Sequence, residues 1–117
     1  MPRATLPILA HCIAAYKLWH DFVPHIPKTA RYTLGGKIDS YFTDTIEHIV
    51  SATYLPKERK GASIQAAIAK LDTLKFFLQV AWEIKALDTK KYGLLSERLY
   101  EIGKMLGGWN RQVGIYK

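Results

Sequence analysis

Apolar residues recur at every third or fourth position through nearly the whole chain, and no stretch alternates apolar with polar residues over five positions. That spacing builds one face of an α-helix and does not suit the half-buried face of a strand. Proline and glycine cut the pattern into four helical lengths. The first runs from about residue 6 to 22, with Ile8, Cys12, Ala15, Trp19 and Phe22 on one stripe. Two prolines in VPHIPK end it, because proline lacks an N–H and clashes with the turn before it. The second runs from about 29 to 53, with Leu34, Ile38, Tyr41, Phe42, Thr45 and Ile49 inward, and stops at the basic turn YLPKERKG. The third runs from about 62 to 87 with Ser63 as candidate N-cap, and the fourth from 89 to 110 behind an Asp88 N-cap. The tail RQVGIYK is expected to fray. Four helices with short connections predict an all-α, antiparallel up-down four-helix bundle in a single domain.

The third length is apolar on two sides. Ile64, Ile68, Leu71, Leu74, Leu78 and Trp82 cover one arc of its wheel, and Ala69, Phe76, Phe77, Val80 and Ile84 cover another roughly opposite. A helix of a lone bundle needs one buried arc, and monomers rarely expose large apolar patches. Phe76, Phe77, Val80 and Ile84 are therefore predicted to meet a second subunit. The fourth length carries Leu95, Leu99, Ile102, Leu106 and Trp109 inward, and a second strip of small residues, Ser96, Gly103 and Gly107. An interior glycine costs a helix about 1 kcal/mol against alanine. Close approach of another helix would offset that cost, so Gly103 and Gly107 join the predicted interface. The same reasoning extends to Gly35 and Gly36.

The 117 residues, 49% of them hydrophobic, are enough for one core without cross-links. Cys12 stands alone, which rules out an intrachain disulfide and suits a reducing cytoplasm. No apolar run approaches the roughly 18 residues of a membrane span. The apolar stretch after Arg3 is broken by Pro7 and His11 and reads as helix, not as a secretory signal. The formal net charge of +7 favours an anionic partner, nucleic acid first.

Motifs for chemistry are missing. Gly35-Gly36-Lys37 is followed by Ile38, without the earlier glycine, the Ser/Thr or the strand of a phosphate-binding loop. His11, His20, His25 and His48 form no metal-binding spacing; Asp44 and His48 lie one turn apart but without further ligands. Cys12 lies on the buried stripe, and Ser40, Ser51, Ser63 and Ser96 have no evident base. No catalytic residue, metal or cofactor is expected. The remaining signal is basic: Lys28, Arg31 and Lys37 on the second helix, Lys57, Arg59 and Lys60 in the turn, Lys70, Lys75 and Lys85 on the third, and Lys90, Lys91, Arg98, Lys104 and Arg111 on the fourth. Lys75 is the odd one, because it falls inside the arc of Leu71, Leu78 and Trp82. It reads either as a lysine snorkelling along the core edge or as an ammonium pointing into a wet channel or groove between subunits.

IPKTARYTLGGKIDSYF, AIAKLDTLKFFLQVAWEIKAL and LYEIGKMLGGW, in this order, resemble the four-helix-bundle proteins that include the accessory variability determinant of diversity-generating retroelements. The wider group takes in the intervening-sequence proteins of some bacterial ribosomal RNA genes. The resemblance implies a pentameric ring with a basic surface and pore. It implies binding of a reverse transcriptase and template RNA, with DNA as a further nucleic-acid partner, in support of mutagenic cDNA synthesis and retrohoming, without catalysis. Matched by position, Lys75 falls in a basic lining, with neutral Gln79 one turn on, while Lys28 and Arg31 fall at the start of the second helix and Lys104 in the fourth. Lys37, Lys70, Arg98 and Arg111 complete the expected nucleic-acid or partner-binding set. The alternative is a structural bundle of the intervening-sequence type with no polymerase partner.

Overall fold

The computed structural model describes residues 6–114, and all regular structure among them is helical. Helix α1 spans Leu6–Phe22, the one-turn α2 Lys28–Arg31, α3 Leu34–Tyr54, α4 Lys57–Glu83 and α5 Thr89–Gly114. A single 3-10 turn, Val23–His25, leads out of α1. At about 1.5 Å per residue the 27 residues of α4 reach about 40 Å. The molecule measures 46 × 20 × 20 Å, so no two long helices fit end to end. Each doubles back on the one before.

Cross-helix pairs run the same way. Ser63 meets His48, Lys70 meets Asp44 and Phe77 meets Tyr41, positions rising on α4 as they fall on α3. Helix α4 lies between α3 and α5, and α1 closes the bundle against α3 and α5. The core is continuous: Trp19, Ile38, Ile49, Ile64, Leu71, Leu74, Leu78, Leu95, Leu99 and Leu106 are fully buried. Truncating any of these leucines to alanine removes apolar contact and leaves a void, at about 2–5 kcal/mol.

Polar groups set the register. Tyr16 Oη (2.7 Å) and Trp19 Nε1 (3.1 Å) both donate to Asp39 Oδ1, which ties α1 to α3 beside Phe42. This hydrogen bond, with burial second, raises the Tyr16 pKa above its ordinary value. The hydroxyls of buried Thr45 and Thr53 donate to carbonyls of their own helix, Tyr41 O and Val50 O.

Several boundaries differ from the sequence expectation. The second length is two helices, broken at Tyr32–Thr33. The basic run KERK is the first turn of α4, not a loop, because Pro56 stands just before the helix, where its missing N–H costs nothing. Ser63 therefore does not cap α4; its hydroxyl donates to His48 O at 2.7 Å and clips α4 to α3. Helix α4 ends at Glu83 rather than 87, and α5 continues past 110 to Gly114. The end of the expected frayed tail, 115–117, and the segment around Arg3 lie outside the described residues. Trp82 is not a core residue: it is 36% exposed, stacks on Tyr92 at 5.0 Å and donates to Thr89 Oγ1. No helix among the described residues is long and apolar enough to cross a membrane.

Candidate nucleic-acid interface

The eight basic residues singled out from sequence fall into separate places. Lys75, Lys104 and Arg111 meet in one open groove of about 430 Å³ between α4 and α5, whose walls include Ile68, Leu71, Asp72, Tyr100, Gly103 and Gly107. Lys75 comes from α4, and Lys104 and Arg111 lie one and three turns along α5 from Tyr100. Among the described residues neither Lys75 nor Arg111 has a carboxylate within ion-pair distance. Lys104 Nζ lies 3.4 Å from Glu101 Oε1 and 5.2 Å from the Tyr100 ring centroid. That ion pair is exposed on both sides, so it holds the ammonium weakly and leaves it open to a competing anion.

The glycines of α5 stand beside the cations of the groove. A Cβ at Gly103 would lie 3.2 Å from Lys75 Nζ, and one at Gly107 would lie 3.8 Å from a terminal nitrogen of Arg111. Gly103 faces Lys75 and Leu71 of α4, and Gly107 faces the guanidinium of Arg111 on its own helix. Lys75 thus neither enters the core nor points straight out; it lies across the groove floor. Gly35 is buried, with Ala30 O 3.5 Å from where its Cβ would stand, whereas Gly36 faces open space. A Cβ on Gly35 would make only an ordinary van der Waals contact, so close approach of a second helix requires neither glycine of the pair.

Lys37 and Lys70 share a second, shallower depression between α3 and α4, with Tyr32, Thr33, Ser40 and Tyr41. Lys70 is already engaged, 3.6 Å from Asp44 Oδ2 and 5.5 Å from the Tyr41 ring. Lys28 is exposed at the start of α2, and Arg98 is exposed on α5 outside both depressions. Arg31 is spent on the fold: its Nε and Nη2 donate to Ile26 O at 3.1 and 2.9 Å, and Nη2 also to Pro24 O at 3.0 Å. It closes the proline turn after α1. Lys60, which sequence reading left in a loop, donates to Ala52 O at 2.6 Å and caps the C-terminal end of α3.

The predicted subunit contact lies on the outward side of α4. Phe76 and Ile84 are 60% and 58% exposed, with half-buried Val80 between them. Phe77 turns toward α3 and stacks on Tyr41, ring centroids 5.5 Å apart, with Phe76 edge-on to it at 6.0 Å. The apolar ridge is therefore Phe76, Val80 and Ile84, with Phe77 as its buttress.

One group that could carry chemistry is accounted for by the fold. Cys12 is buried in the core and burial pushes its thiol pKa up to about 12, so it remains a thiol at neutral pH. Among the described residues no group of three or more His, Cys, Asp or Glu is placed to hold a metal ion.

Comparison with curated proteins and with solved structures finds no match. A family model described as bAvd-like matches residues 11–113, from the second turn of α1 to the last turn of α5, and takes in both depressions and the apolar ridge. With nearly the whole bundle inside that match, the chain belongs to the bAvd-like family.

Proposed function

We propose that this chain is the accessory protein of a diversity-generating retroelement. It binds the element's reverse transcriptase and template RNA, and the DNA copied from it, as a homo-oligomeric ring in the cytoplasm. It supports mutagenic cDNA synthesis and retrohoming and performs no catalysis itself. The observation that carries this reading is the convergence of Lys75, Lys104 and Arg111 on one groove of a bAvd-like chain. Three cations about an open trough suit a phosphodiester strand, and each phosphate neutralised releases counterions. The Phe76–Val80–Ile84 ridge supplies the apolar face on which copies of the chain pack, pentameric rings being the expected assembly.

Co-expression with the reverse transcriptase of the same locus, followed by light scattering on the purified material, tests the reading. The expected result is a stable complex whose mass fits several copies of this chain per polymerase. A homo-oligomer that ignores the polymerase would overturn it in favour of a structural bundle of the intervening-sequence type.

A further inference from the structure

Tyr100 is a large aromatic residue with no packing role in its own bundle. The inward stripe of α5 is Leu95, Leu99, Ile102 and Leu106, and Tyr100 points away from it, 59% exposed, in the wall of the α4–α5 groove. Along α5 from this ring the next positions on the same strip are Gly103, Gly107 and Arg111, spaced by three and four residues. The two missing side chains open a trough beside the ring that runs about 16 Å to Arg111. Lys75 crosses its floor over Gly103, and Lys104 lies over the ring. The groove volume of about 430 Å³ falls within the roughly 300–1,000 Å³ of sites that hold small organic groups.

We infer that Tyr100 is a base-stacking platform and that the α4–α5 groove prefers a single strand of nucleic acid to a duplex. This rests on the nucleic-acid-binding function proposed above and names the class of strand. A cationic trough with an exposed aromatic ring in its wall has the two parts that single-strand sites combine: charge that follows phosphates and a π-face on which any unpaired base stacks. In a duplex the base faces are covered by their neighbours, so Tyr100 has nothing to stack on and only the charges contribute. Asp72 is the one carboxylate in the groove lining; it repels phosphate and accepts hydrogen bonds from exocyclic amines or hydroxyls. Phosphates then follow Lys75 and Arg111, and the base lies toward Tyr100.

The test is fluorescence anisotropy with the full-length chain and labelled oligonucleotides of about ten nucleotides, single-stranded RNA, single-stranded DNA and duplex RNA. Tyr100→Ala is expected to weaken binding of both single strands by roughly five- to a hundred-fold and to leave duplex binding unchanged. Tyr100→Phe, which keeps the π-face, is expected to bind like wild type. Lys75→Gln is expected to weaken every ligand and to lower the salt slope by about 0.7 for a single strand. Tyr100→Ala binding single strands as well as wild type, while Lys75→Gln still weakens them, overturns the platform and leaves the charge-based function standing. Equal losses on single strands and duplex overturn the strand selectivity. Wild type that binds none of the three at low salt removes the nucleic-acid function and the platform together.

Discussion

At Gly103 a single hydrogen atom stands where a methyl group would meet Lys75 Nζ at 3.2 Å and Leu71 Cδ2 at 3.6 Å. The first contact is tight but involves the far end of a flexible chain; the second is an ordinary van der Waals distance. The ammonium can yield, and alanine is the better helix former by about 1 kcal/mol. Gly103→Ala is therefore expected to raise the stability of the chain by roughly 0.5–1 kcal/mol in urea unfolding. A loss of stability, or of oligomeric mass, would instead indicate a second helix packed against this glycine. Arg31 gives the opposite lesson. By composition it is one more cation for nucleic acid, yet its guanidinium closes the proline turn through three donor contacts to two carbonyls. Arg31→Ala is expected to cost about 1 kcal/mol of stability, seen as a lower urea midpoint, and to leave the salt dependence of RNA binding unchanged. A changed salt slope with unchanged stability would return Arg31 to the interface.

At the scale of the element, the two ends of the α4–α5 connection differ in how far the residues announce them. Asp88 was legible as an N-cap, and its Oδ1 accepts from Lys91 N at 2.8 Å. The Lys91 side chain, first, and then the Lys91 backbone hold this carboxyl below its ordinary pKa. A depressed carboxyl contributes stability above its unfolded pKa and loses that contribution as pH falls through the folded value, so this cap weakens only in acid. The end of α4 was not legible. There Lys85 takes the left-handed conformation, φ 64°, with Lys85 N bonded to Trp82 O and Ala86 N to Ala81 O. That is the glycine-type helix stop, made here without glycine. Helix propensity carried the expected end on to 87, because lysine gives no stop signal. Lys85→Gly is expected to add roughly 0.5–1 kcal/mol, a rise of a few degrees in Tm by circular dichroism. An unchanged or lower Tm would show that the left-handed lysine carries no strain.

Across the whole molecule, α4 has a core face, a groove face and a ridge face, and one chain covers only the first. Phe76 and Ile84 remain more than half exposed beside the half-buried Val80. Phe76→Glu is expected to reduce the light-scattering mass to that of a single chain while the helical circular dichroism spectrum is kept, since this side chain contributes little to its own core. An unchanged mass would move the subunit contact elsewhere. The helices and the buried stripe were readable in the residues because both follow from a short period: a helix repeats every 3.6 residues, and burial of one face imposes that repeat on the apolar positions. Which cations share a groove was not readable. Lys75 and Arg111 are 36 positions apart and meet only because α4 and α5 are antiparallel at a particular register, while Arg98, on the same helix as Arg111, faces elsewhere. Charge acts through space, and side chains far apart along the chain are brought together by the packing of buried faces rather than by any pattern among the charges themselves. The sequence thus specified the helices and the exposed surplus of positive charge; the path of the two proline turns decided that Arg31 and Lys60 serve the fold, and the bundle's register decided that Lys75, Lys104, Arg111 and Tyr100 form one surface, because it alone brings distant positions together.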